Sequence, residues 1–265
     1  FRIYGVPFSQ PVRAVMWLMF NRRQPFEMVL VNPGSKGDNG SRNPGFVAKN
    51  PAGTIPTLEN PQTGFVLGEA HAILCYLCRH YEWTDMYPLN PEACAAVDWY
   101  LHFHHRNIRD ASVALVAPRI RKDLDISQAR QRESLATVKR ALDALEAGWL
   151  MNTRYIAGDN VTIADLAAYV EIGQLQPRFT NLFDFAPYPN IRRWLTDMQQ
   201  VDGHDETHIV LTELGAVYSF GLGEGALGHP GQHTEGRGTL IYDTPKIIEA
   251  LSGERVVAVS AGAGS

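Results

Sequence analysis

The stretch Tyr4-Gly5-Val6-Pro7-Phe8-Ser9-Gln10-Pro11-Val12-Arg13-Ala14 ends a strand and opens a helix, with a hydroxyl at the junction. Arg2 to Val6 reads as a short strand. Pro11 suits a first helical turn, because it has no N–H to lose there and its φ is already near helical. Val12, Val15, Met16 and Met19 then recur at helical spacing. The free N–H groups of that turn and the positive end of the helix dipole favour negative charge close to Ser9. A thiol held there is acidified.

Working outward, Arg2 to Val6, Pro11 to Arg22 and Phe26 to Val31 form a strand-helix-strand opening. A polar loop, Asn32 to Asn43, leads to a short helix from Pro44 and then to Asn50-Pro51-Ala52-Gly53. In Thr54-Ile55-Pro56-Thr57-Leu58 the proline holds Ile55 extended before an apolar strand. Pro61 to Gly64 turns that strand into Phe65-Val66-Leu67, giving a hairpin. Glu69 begins a helix with Ile73, Leu74, Leu77 and Cys78 on its apolar side, ending near Tyr81. Residues 1–82 therefore read as one α/β domain and 83–90 as a linker. Residues 91–205 carry only helical periodicity, with Val97, Tyr100 and Leu101 and then Leu135, Val138, Leu142 and Leu145 as candidate core. Within them, Thr162 and Asp165 have the spacing of a capping box. Residues 206–265 form a glycine-rich extension in which Thr239 to Tyr242, Pro245 to Leu251 and Val256 to Val259 suggest strand, helix and strand.

Composition bounds the function. The 265 residues are 45% hydrophobic and 20% charged, as in globular proteins, and leave room for two domains. A net charge of −4 without a block of like charges gives neither a nucleic-acid footprint nor a polybasic membrane patch, which points to a small-molecule ligand. No apolar run is long enough to span a bilayer and no secretory pattern opens the chain. The chain starts at Phe1 without Met, so an upstream segment is expected. Three cysteines, Cys75, Cys78 and Cys94, fit a reducing compartment, with the cytoplasm as default.

The SQPVRA opening, the NPAGTIPTL segment, the GEAHAILCYL helix and the VTIADL cap together resemble cytosolic glutathione transferases, and the serine with its SQP order is most similar to the theta class. The likeness runs from residue 2 to about 205. It implies a thioredoxin-like, glutathione-binding domain followed by an all-α electrophile-binding domain, a homodimer, glutathione as co-substrate and no metal. Carried onto matching positions, it implies that Ser9 donates its hydroxyl to the glutathione thiolate and that Gln10 lies against the same ligand. Ile55 would pair its backbone with the cysteinyl part, with Pro56 following through a cis bond. Glu69 and Ala70 would lie at the γ-glutamyl end, and Phe8, His102 and Arg106 are candidates for the electrophile pocket. Two positions depart from the family pattern. Ala70 stands where a serine usually binds the ligand's α-carboxylate, and the loop before Pro44 carries Lys36, Asp38 and Asn39 where theta relatives usually have a basic residue on the glycyl carboxylate; Lys36 is the candidate substitute, and Asn39 is kept as a contact there.

The chemistry needs little else. A thiol of pKa about 8.5 is only ~3% ionised at pH 7, and lowering that pKa by two units, about 2.7 kcal/mol, makes it ~75% thiolate. A neutral hydroxyl and a helix N-terminus suffice, with no general base. Rival motifs read as structure. Cys75 and Cys78 have redox spacing but fall inside a later helix. His102, His104 and His105 lack an evident further ligand, and Gly223 to Gly228 lacks the helix a dinucleotide fingerprint requires. The reading is a glutathione transferase acting on a small electrophile such as an alkyl halide, epoxide or hydroperoxide. The alternatives are a binding or assembly module of the same fold, or another glutathione-dependent reaction: a peroxidase, dehalogenase or isomerase.

Overall fold

A computed structural model describes residues 1–265 other than 121–123, 178–179, 205–208, 212–216, 224–239 and 248–265. The chain divides into two units, residues 1–73 with the chain from 202, and residues 74–201.

The first unit holds a four-stranded sheet of order β2-β1-β3-β4, from β1 (Arg2–Gly5), β2 (Glu27–Leu30), β3 (Thr57–Asn60) and β4 (Phe65–Gly68). β1 and β2 are parallel because α1 (Gln10–Asn21) crosses between them, whereas β3 and β4 form the expected hairpin and run antiparallel. This is the thioredoxin-like arrangement. In α1 the predicted stripe of Val12, Val15, Met16 and Met19 is buried, and so are Ala14, Trp17 and Leu18. The indole N–H of Trp17 donates to the Asp202 carbonyl at 3.0 Å, and the His204 ring stands edge-on to it, so the returning chain seals one side of the helix. A short helix, α2 (Pro44–Lys49), is capped by the Asn43 side chain, which accepts from Gly45 N–H at 2.9 Å. Phe46 from that helix meets Tyr4 and Val31 in a small apolar cluster.

Helix α3 (Ala70–His80) starts in the first unit and ends in the second, burying Ile73, Leu74, Leu77 and Cys78 as the periodicity predicts. The second unit is helical: α4 (Pro91–Arg106), a π-helical turn over Ala111–Val116, α5 (Ala117–Ile120), α6 (Gln128–Ala144), α7 (Ile163–Ile172) and α8 (Pro189–Met198). Every residue of α7 is buried, so it is the helix the others pack around. One core expectation fails. Leu135 is exposed, and its neighbour Ser134 is buried in its place, while the expected Val138, Leu142 and Leu145 are buried together with Ala141. No helix among the described residues is long and apolar enough to cross a membrane.

The extension forms a second antiparallel sheet, of order β5-β6-β7: β5 (Ile209–Leu211), β6 (Val217–Gly223) and β7 (Leu240–Ile247). The helix expected from Pro245 is replaced by strand there. Proline is tolerated because β7 is at the edge of the sheet among the described residues and its register shifts between Tyr242 and Lys246. The strand expected over Val256 to Val259 lies outside the described residues.

Asp165 holds the second unit's loops to its helices. One carboxylate oxygen accepts from Ile156 N–H at 2.9 Å and Trp194 Nε1 at 3.0 Å, and the other from Thr162 N–H at 3.0 Å and the Thr162 hydroxyl at 3.1 Å. Burial pushes the carboxyl above its usual pKa, and these donors oppose that shift. Asp165→Ala leaves several buried donors without an acceptor. It is expected to cost on the order of 4 kcal/mol, read from the urea midpoint; a loss below about 1 kcal/mol would contradict this assignment.

Candidate functional site

The sheet register brings the sequence's candidate segments to one end of the first unit. Tyr4 pairs with Thr57, Thr57 pairs with Gly68, and Gly5 pairs with Leu30. The turn to Ser9 therefore leaves β1, Ile55-Pro56 enters β3, Glu69-Ala70 leaves β4 and the 32–43 loop leaves β2, all at the same end. Gly5 makes the approach possible. A β-carbon there would lie 2.6 Å from Val12 and 3.6 Å from Ile55, so only glycine lets β1, α1 and the Ile55 loop meet.

Ser9 is the N-cap residue of α1, extended at φ −72° and ψ 123°. Serine in this place normally accepts a bond from the second or third helical N–H. Here Pro11 occupies the second position and has no N–H, and among the described residues the Ser9 hydroxyl makes no cap hydrogen bond. The backbone is tied instead: Ser9 N–H donates to Val6 O at 3.0 Å and Ser9 O accepts from Arg13 N–H at 2.9 Å. The result is a fixed main chain with an uncommitted, half-buried hydroxyl at a helix N-terminus. Gln10 begins the helix and is half-buried; Phe8 is half-buried in the turn before it.

The second segment is built on Asn50. Its buried amide donates to Thr54 O at 3.0 Å and to Thr57 Oγ1 at 2.8 Å, and its side-chain oxygen accepts from Ala52 N–H at 3.1 Å. Within this loop the Ile55–Pro56 bond is cis, with Ile55 half-buried and Pro56 buried. Gly68 makes room for the amide, since a β-carbon on it would stand 3.2 Å from Asn50 Nδ2. Immediately after comes Glu69 at φ +65°, a left-handed conformation that costs a non-glycine residue of order 1–3 kcal/mol and that clusters at ligand sites. Glu69 is exposed and Ala70 is buried at the start of α3.

Asn39 is exposed in the loop leaving β2, where its carbonyl accepts from Asn32 N–H at 2.7 Å. A basic residue that the sequence reading passed over stands at the end of that loop. Arg42 reaches back so that Nη1 donates to Ala52 O at 3.0 Å, which sets a guanidinium beside the Asn50–Ile55 segment. The signal was a lone arginine just before a helix start, too common to single out.

His102 and Arg106 lie on exposed positions of α4, in the other unit, while His104 is buried against Tyr100. An ordered cation of that unit is Arg109, which the sequence reading passed over. It pairs at 2.5 Å with Glu171, a carboxylate only 1% exposed that also accepts from Ser112. Cys75 is half-buried in α3 and burial pushes its thiol up to about 11, away from redox reactivity. Among the described residues no group of three His, Cys, Asp or Glu side chains is placed to hold a metal ion.

Comparison with known proteins gives three family-model matches: "Glutathione S-transferase, N-terminal domain" over residues 3–86, "Glutathione S-transferase, C-terminal domain" over 127–197, and "Regulator of chromosome condensation (RCC1) repeat" over 215–265. The chain is 30% identical to glutathione S-transferase theta-1 of Bos taurus over 211 residues, covering 77% of this chain and 85% of the relative. It is 32% identical to glutathione S-transferase D7 of Anopheles gambiae over 222 residues, covering 83% and 95%. The solved structure of human glutathione-S-transferase T1-1 in its apo form superposes with a TM-score of 0.67 at 27% identity, covering 78% of this chain and 87% of that one.

The geometry around Asn50 is directly testable. Asn50→Ala is expected to lower stability by about 2 kcal/mol, because it removes the amide's bonds to the Thr54 carbonyl, the Thr57 hydroxyl and Ala52 N–H, leaving the Thr57–Thr54 bond alone to hold the turn. Gly68→Ala, which only crowds the amide, is expected to cost about 1 kcal/mol. Equal midpoints for both variants and wild type in urea would show that the amide does not organise the loop.

Proposed function

The chain belongs to the glutathione S-transferase family, and from that we propose that it is a theta-like transferase that holds glutathione at the end of the amino-terminal sheet and activates its sulfur at Ser9. The observation that carries the reading is the Ser9 hydroxyl, uncommitted at a helix N-terminus while its backbone is fixed on both sides. On this reading the hydroxyl donates to the thiolate, the helix dipole favours the anion, and the bound thiol ionises near neutral pH. The thiolate then attacks a small electrophile such as an alkyl halide or epoxide. A carbon–sulfur bond forms as the carbon–halogen or carbon–oxygen bond breaks; the electron pair goes to the departing halide, or to the ring-opened alkoxide, which stays in the product and takes a proton from water.

The rest of the tripeptide fits the same end of the sheet. Ile55, extended before Pro56, offers its backbone to the cysteinyl unit, and Gln10 lies against the same ligand. Arg42 and Asn39 face the glycyl carboxylate, and Glu69 with the Ala70 N–H receives the γ-glutamyl end. The family likeness supports a cytosolic homodimer. Ala70 favours one second reading, a glutathione-binding or assembly module with weakened affinity, since the hydroxyl usual in the family is missing.

Titrating bound glutathione by its ultraviolet thiolate absorbance separates these readings. The wild-type complex is expected to ionise with pKa about 6.5, and Ser9→Ala with a value close to the free thiol's ~8.5. Identical titrations would overturn the role of Ser9, and bound glutathione that never ionises would favour the module. Separately, Ala70→Ser is expected to tighten glutathione about tenfold, the worth of one charge-assisted hydrogen bond. An unchanged Kd would remove Ala70 from the ligand's surroundings.

A further inference from the structure

The register of the extension's sheet sorts its residues into two unlike rows. Residues directly opposite one another in an antiparallel sheet share a face, so the central strand β6 assigns both faces. Tyr218, Phe220 and Leu222 alternate onto one of them. Val210 and Ile247 stand opposite Tyr218, and Ile241 stands opposite Leu222, which places all three on that same face. The six form a row without a charge or a small polar residue. On the other face the β6 positions are Val217, Ser219, Gly221 and Gly223, and Lys246 stands opposite Ser219, so apolar character is interrupted there.

A row of this kind has to be covered, because three strands cannot bury their own apolar face. Its lack of charge does not suit nucleic acid, whose phosphates call for lysine and arginine. The match to a repeat model over 215–265 indicates what does suit it, since that stretch contains β6 and β7. A repeat unit buries its apolar face against another unit of the same kind rather than alone. A second copy of this chain supplies one, and two identical rows meeting across a two-fold axis are self-complementary. The chain is also fixed just before the sheet. The Asp202 carbonyl accepts from Trp17 Nε1 at 3.0 Å and from Asn21 Nδ2 at 2.9 Å, and the His204 ring stands edge-on to Trp17. An anchored root lowers the ordering cost of bringing two such sheets together.

We propose that the apolar row of β5-β6-β7 is a self-association surface, on which the extensions of two copies pack face to face as a two-layered sheet. This interface is additional to any contact made by the transferase units, and it gives the extension a function in assembly rather than in sulfur transfer.

Sedimentation equilibrium on the full chain reads the interface whether it tightens a dimer or joins dimers. Self-association is expected to weaken at least tenfold in Phe220→Asp, which puts a charge in the middle of the row, and to persist in Ser219→Asp on the opposite face. Circular dichroism and the urea midpoint show whether each variant is folded. A second measurement needs no substitution: amide-exchange protection over 217–223 in the wild-type chain is expected to fall at least tenfold on dilution through the dissociation midpoint, while that of α7 holds. Protection of 217–223 that is independent of concentration would overturn the proposal. So would a folded Phe220→Asp that associates like wild type, and if its urea midpoint alone fell, the row would be covered within its own chain.

Discussion

One buried amide sets the geometry on which the candidate site depends. Asn50 bonds Thr54 and Thr57, which span the turn into β3, and its oxygen holds Ala52 at the turn's start. Thr57 is also the first residue of β3 and pairs with both Tyr4 and Gly68. A single side chain therefore couples the shape of the Ile55-Pro56 loop to the register of the strands beside it. If the loop relaxed, Thr57 would lose its side-chain partner at the very residue from which the sheet hands the chain to Ser9 on one side and Glu69 on the other. The amide fits closely against position 68, where a β-carbon would stand 3.2 Å from Nδ2. A buried polar group that finds its partners in this way specifies one arrangement, since any alternative strands it.

A second constraint operates at Ser9. Three other caps use their side chains: Asn43, Asn90 and Ser127 each accept from the helix they precede. Ser9 does not, and Pro11 removes one of the two donors it would otherwise face. A cap bond contributes typically about 1 kcal/mol, so leaving it unmade has a real cost in helix stability. The burial of α1 on several sides offsets that cost. Glu69 shows the same trade at the start of α3, where a strained backbone conformation is kept by the strand pairing just before it. Two helix starts at one end of one sheet each forgo local stability, and such departures from local preference are where binding sites are expected.

The sequence made much of this legible, for reasons particular to each element. SQPVRA reads as strand-to-helix because proline and the apolar period agree. NPAGTIPTL reads as a loop before a strand because two prolines punctuate it, and VTIADL as a helix start because cap and box residues stand in register, which Thr162 and Asp165 bear out. The failures were of another kind. Leu135 and Ser134 differ by one position in the helical period, and only packing decides which is inside. Glu171 looks like a surface residue until Arg109 and Ser112 are brought to it from fifty and more positions away. Arg42 carries no periodic signal. Pro245 suggested a helix start, whereas an edge strand with an irregular register accommodates it equally well.

On the proposed reading, Ser9 and Ala70 act on different terms of the same reaction. The Ser9 hydroxyl meets the sulfur, whose charge is what the reaction consumes, so it changes the fraction of bound ligand able to react. A hydroxyl at position 70 would meet the γ-glutamyl carboxylate, which carries the same charge before, during and after sulfur transfer. Its absence removes uniform binding, which raises KM and leaves kcat alone. The loss, about 1.5–3 kcal/mol, is one to two orders of magnitude in affinity. Activation of the thiol is worth about 2.7 kcal/mol by comparison, so neither effect swamps the other. Where glutathione is abundant, a transferase built this way gives up affinity it does not need and keeps the activation it does. Arg42, held by the Ala52 carbonyl beside the Ile55 loop, is placed to recover part of that affinity at the opposite end of the tripeptide.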